Sequence, residues 1–126
     1  MNYKDIFAIA SQDKGLSNDE IENILVESIN EWEKINGAIK NALIIPPDFT
    51  RYHSNAGFIT QVYYKMLSEK GASVDILPAL GTHVPVSQEQ WSIMFGSIPY
   101  SKMLVHNWRT DVVKLGDVPQ DIVEEI

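Results

Sequence analysis

Two short apolar runs, residues 42–45 (ALII) and 73–77 (SVDIL), constrain this chain more than any other feature, because each is closed by proline and a helical pattern lies between them. A strand, a helix and a second strand of one sheet form a crossover unit, which sets the two strands parallel. Parallel strands send their following loops to the same carboxyl edge, the edge where open α/β sheets bind ligands. Here those loops read PDFTRYHS and ALGTHVP. One carboxylate, one guanidinium and one imidazole are thereby directed toward a single cleft.

The rest of the chain alternates helix and strand without an internal repeat. Ser17 with Glu20 forms a capping box ahead of Ile21, Ile24, Leu25, Ile29, Trp32 and Ile35, and Gly37 ends that helix. Ile59, Val62, Tyr63, Met66 and Leu67 follow helical spacing up to Gly71, which predicts a crossover helix packed on the sheet. A second, weaker capping box, Ser87 with Gln90, opens a short helix that turns Trp91, Met94 and Phe95 inward before Gly96. A third run, residues 103–105, stops at His106, and HNWRTD is too short for a crossover helix, so residues 112–115 are expected to turn back antiparallel. The expected fold is a single α/β domain over residues 1–126: a Rossmann-like three-layer fold with a mostly parallel sheet and room for an antiparallel edge strand.

Composition removes several classes of function. A formal charge of -7 with only ten Lys and Arg residues argues against a nucleic-acid surface, which needs clustered cations. No apolar run approaches the roughly 20 residues of a membrane span and no signal-peptide pattern opens the chain, so a cytoplasmic location is expected. The absence of cysteine rules out disulfides, a thiolate nucleophile and Cys-ligated metal within this segment. Neither GxGxxG, a P-loop nor GxSxG is present, which withdraws the usual support for dinucleotide, nucleoside triphosphate and serine-hydrolase readings.

The two loops carry the chemistry. Pro46 and Pro47 lack N–H groups and are expected to end strand pairing and fix the loop's exit. Asp48 to Ser54 then leads into a helix whose first turn favours an anion, and Arg51 adds a planar fork suited to carboxylate or phosphate. Asp48 could orient Arg51 or accept from a sugar hydroxyl; the competing reading is that Asp48, Thr50 or Ser54 simply caps the helix while Arg51 lies in solvent. In the second loop Gly81 permits positive φ, Thr82 can donate or accept, and His83 is the one side-chain type whose unperturbed pKa lies near neutrality, as a general acid/base requires. The spacings of His53, His83 and His106 match no local metal motif, so no metal site is expected from this chain alone. His53 is expected in the first turn of its helix and His106 at a strand end lining the cleft; Trp32, Trp91 and Trp108 are spaced as core or rim residues.

The stretches ALIIPPDFTRYHS, DILPALGTHVPVS with its following MFG, and HNWRTD before VVKLGDVP resemble the amino-terminal part of the lactate racemase family, nickel-pincer-nucleotide enzymes that racemise or epimerise 2-hydroxy acids. The resemblance implies that His83 is one of two acid/base histidines, that Arg51 helps to hold a small 2-hydroxy acid, and that Asp48, with Thr50 and Thr82 as lesser candidates, contacts cofactor or substrate. It also implies a nickel-pincer nucleotide that accepts hydride from the substrate's α-carbon. The family's second histidine, tethering lysine and nickel-ligating histidine belong to a later glycine-rich segment absent from these residues, and neither Lys102 nor Lys114 sits in such a motif. The chain is therefore expected to be an amino-terminal part whose partner is the remaining carboxy-terminal half. Two other classes compete: a non-catalytic module that binds a small anion or mononucleotide, and an assembly domain whose cleft is incidental.

Overall fold

A computed structural model describes residues 13–120. Helix α1 (Asn18–Asn36) leads to strand β1 (Asn41–Ile44), a 3-10 turn (Phe49–Ser54), helix α2 (Ala56–Glu69), strand β2 (Ser73–Ile76), helix α3 (Gln88–Phe95) and a second 3-10 turn (Tyr100–Lys102). Both sequence-read capping boxes form, Ser17 with Glu20 and Ser87 with Gln90, each satisfying amide donors that a helix start leaves open. Gly37 and Gly71 stop α1 and the turn after α2 with φ of 85° and 87°, a region that disfavours any side chain.

Strands β1 and β2 pair in parallel, with Ala42 opposite Val74 and Ile44 opposite Ile76. Alternation along the pleat turns Ala42, Ile44, Val74 and Ile76 toward the helices and leaves Asn41, Leu43 and Ser73 exposed. Helix α2 packs on both strands, α1 packs on α2, and α3 packs on α2 and the first 3-10 turn. The core gathers Ile76, Leu80, Val86, Trp91, Met94, Phe95 and Ile98. Trp91 donates its indole N–H to Ile98 O at 2.7 Å, so the largest buried side chain leaves no donor unpaired. Helix α1 is attached differently: it buries no residue fully, and Lys70 pins it through Glu33 at 2.6 Å and Asn30 at 3.0 Å.

Close approach of α2 and α3 depends on Gly57. A Cβ there would stand 2.2 Å from Met94 O, a backbone atom that cannot swing aside.

Three expectations change. The prolines do not end pairing: Leu77 N donates to Ile44 O at 2.9 Å, Ala79 N donates to Pro46 O at 2.8 Å, and Pro47 pairs with Ala79. The donors of these two bonds are Leu77 N and Ala79 N, so proline's missing N–H costs nothing here and the Pro46 carbonyl remains available. The third run forms one parallel bridge, Met103 with Ile76, supported by Leu104 N to Ile76 O at 2.7 Å. Residues 112–115 form no strand, antiparallel or otherwise, because Thr110 N and Asp111 N close a turn on Asn107 O that leads the chain into solvent. The described part is thus an α/β arrangement around a two-stranded parallel sheet with one face covered. No helix among the described residues is long and apolar enough to cross a membrane.

Candidate functional site

Continued pairing through Pro46 and Pro47 delivers both loops to one place. Asp48 caps the first 3-10 turn, and Leu80, Gly81 and His83 form a tight turn in which His83 N donates to Leu80 O at 3.0 Å while Gly81 takes φ of 58°. Nothing stands within 4 Å of a Cβ added at Gly81, so backbone conformation alone selects glycine there.

Asp48 joins the loops. It is 6% exposed, one of two buried polar residues among the described residues, and its two oxygens divide the work. Oδ1 accepts from Thr50 N at 3.2 Å and from Thr50 Oγ1 at 2.5 Å. Oδ2 lies 2.6 Å from His83 Nδ1. Burial pushes the Asp48 carboxyl up, but the hydrogen bonds from Thr50 and His83, with the attraction of the imidazole, outweigh it and hold the group below the ordinary carboxylate value. An ionised carboxylate can only accept, so His83 Nδ1 carries the proton in this contact. In the neutral form of the ring this leaves the lone pair on Nε2, on a side chain that is 56% exposed. This is how a base is oriented for proton transfer.

The cap reading of Asp48 holds on Oδ1, and Oδ2 is taken by His83. Asp48 does not orient the Arg51 guanidinium: Arg51 gives only its backbone N–H to Asp48 O, at 3.0 Å, and its exposed side chain makes no hydrogen bond or ion pair among the described residues. His53 lies in the 3-10 turn rather than in the first turn of α2, because Asn55 takes a left-handed φ of 63° and separates the two.

Beside His83 a cleft of about 360 Å³ is lined by Thr82, Val84 and Pro85 on one side and by His106, Trp108 and Arg109 on the other. Arg51, Asp48 and Thr50 are not among its lining residues, so Asp48 reaches this cleft only through the imidazole that it holds. Trp108 is half-buried and Arg109 lies over its ring, the guanidinium carbon 3.9 Å from the centroid. Sequence reading passed over Arg109; its signal is the Trp–Arg pair at the end of the third apolar run. A second depression of about 410 Å³ between α1, α2 and Ile98 shares no residue with this cleft.

Searches of curated proteins and of solved structures returned no match. A family profile described as "Lactate racemase N-terminal domain" matches residues 6–125, almost the whole length, and within that span lie both loops joined by Asp48 and His83. The chain belongs to the lactate racemase N-terminal domain family.

Proposed function

We propose that this chain is the amino-terminal part of a racemase or epimerase of small 2-hydroxy acids, in which His83 is one of the acid/base groups. The observation that carries this reading is the 2.6 Å contact between Asp48 Oδ2 and His83 Nδ1. Inverting a 2-hydroxy acid requires the hydroxyl proton to leave as the α-carbon is oxidised and to return as it is reduced again. In this reading His83 Nε2 takes that proton and gives it back, and Asp48 holds the ring in the tautomer that can do so and stabilises the charge the ring gains. Arg51, which lies outside the lining of the His83 cleft, is assigned as a substrate contact on the family resemblance alone. Asp48, Thr50 and Thr82 are assigned as cofactor contacts.

The nickel-pincer nucleotide that the family implies would supply the hydride acceptor. Among the described residues no group of three or more His, Cys, Asp or Glu side chains is placed to hold a metal ion. In this reading nickel ligation and tethering fall to the carboxy-terminal half. The two-stranded parallel sheet with its third bridge at Met103 is assigned to a Rossmann-like three-layer fold. The protein is assigned to the cytoplasm.

In the complete racemase, His83→Ala and Arg51→Ala are each expected to lower turnover by on the order of a hundredfold or more. Near-normal rates in both variants would remove the assignment. The 126-residue chain by itself is expected to racemise nothing and to hold no stoichiometric nickel.

A further inference from the structure

We propose that Arg109, laid over Trp108, is an anion-binding residue of the His83 cleft and receives an oxyanion of a small ligand there. The inference deepens the reading of this cleft as a ligand site and rests on it in part.

Placement comes first. Arg109 lines the same cleft as His83, Thr82 and His106, whereas Arg51 does not, and no Asp or Glu is among the lining residues. Arg109 is therefore the permanent positive charge that an anion entering this cleft would meet.

Its bonding state points the same way. The guanidinium rests on the Trp108 ring at 3.9 Å and makes no ion pair among the described residues. The adjacent carboxylate is otherwise engaged: Asp111 Oδ2 accepts from Asn107 Nδ2 at 3.0 Å and Asp111 Oδ1 from Thr110 Oγ1 at 3.1 Å. Stacking uses the flat face of a guanidinium and leaves its in-plane N–H donors free, which is the edge that grips an oxyanion.

The fork is also held in place. Thr110 N and Asp111 N both donate to Asn107 O, at 3.0 and 2.9 Å, so the turn carrying Trp108 and Arg109 is closed by its own backbone. A cation already oriented by an aromatic ring and a closed turn loses less freedom on binding than one on a free side chain. The carboxylate of a small hydroxy acid and the phosphate of a mononucleotide present the same chemistry to this fork, and the test separates them.

The experiment is a titration of the 15N-labelled chain with sodium lactate and, separately, with inorganic phosphate, at ionic strength held constant with sodium chloride. The Trp108 indole N–H and the Thr82 amide are followed in the wild type, Arg109→Gln and Arg109→Lys, with the Trp91 indole as the internal check of folding. The expected result is a saturable shift at Trp108 whose Kd weakens at least tenfold in Arg109→Gln and by less in Arg109→Lys, which keeps the charge but loses the fork. An Arg109-dependent response to lactate identifies the hydroxy acid as the source of the anion, and a response to phosphate alone identifies a nucleotide. No saturable response to either anion, or an unchanged Kd in Arg109→Gln, overturns the proposal. An Arg109-dependent site combined with normal turnover of His83→Ala in the complete racemase would sink the catalytic reading and leave this one standing; the opposite pair of results would do the reverse.

Discussion

Residues 104–118 are richer in Val and Leu for their length than residues 41–83 are in Val, Leu and Ile, yet the longer region holds a paired sheet edge and the shorter one is mostly open coil. In the first, Leu77 and Ala79 donate across to Ile44 and Pro46, the apolar alternate positions face α2, and Asp48 is buried with both oxygens bonded. In the second, Val113 and Leu115 are 82% and 101% exposed, and after Leu104 N to Ile76 O the backbone bonds are those of the Asn107–Asp111 turn. A β-branched residue forms a strand only where a neighbouring strand and a covered face receive it. What separates the regions is partners rather than propensity.

The comparison breaks most sharply in the core. Phe95→Ala empties a fully buried site beside Trp91, ring centroids 4.6 Å apart, and is expected to cost about 3–5 kcal/mol, read as the midpoint shift in urea unfolding. Gly57→Ala forces a Cβ against the Met94 carbonyl and is expected to cost about 1–3 kcal/mol by separating α2 from α3. Asp48→Asn keeps the shape of the clamp but removes its charge, and about 1–3 kcal/mol is expected from weakened bonds to Thr50 and His83. Leu115→Ala is expected to change stability by less than about 0.5 kcal/mol, because there is no burial to lose. A cost for Leu115→Ala comparable to that of Phe95→Ala would mean that the open region is paired in solution.

Asp48 gives the paired region a pH signature. Its carboxyl is held below the ordinary Asp value in the fold, so its contribution is fully present above that value and is lost as pH falls through it toward the depressed one. Acid unfolding curves of the wild type should therefore fall more steeply on the acid side than those of Asp48→Asn. Parallel curves would place the acid sensitivity elsewhere.

Local signals were legible in the sequence and long-range ones were legible only in outline. Ser17 with Glu20 and Ser87 with Gln90 announce their helices because a capping box needs only four neighbouring residues. The parallel pairing followed from the crossover pattern, with the first strand shifted back by one residue and the second ending one residue early. Pairing through Pro46 and Pro47 was not legible, since it depends on which strand supplies the donors. The Asp48 to His83 bond was missed for a related reason: the capping signal accounts for Oδ1 and says nothing of Oδ2. Arg51 drew attention as the cation in the loop, while the cation lining the cleft is Arg109, whose placement depends on a turn that hydrophobic periodicity does not report. The expected antiparallel return at residues 112–115 failed because the apolar run had no open strand to meet.

The imidazole nitrogens of His83 test the central claim most directly. In 15N spectra of the neutral ring the account predicts a protonated Nδ1 and an unprotonated Nε2, with that preference lost in Asp48→Asn. A ring protonated at Nε2, or one whose tautomer ignores the Asp48 substitution, would contradict it.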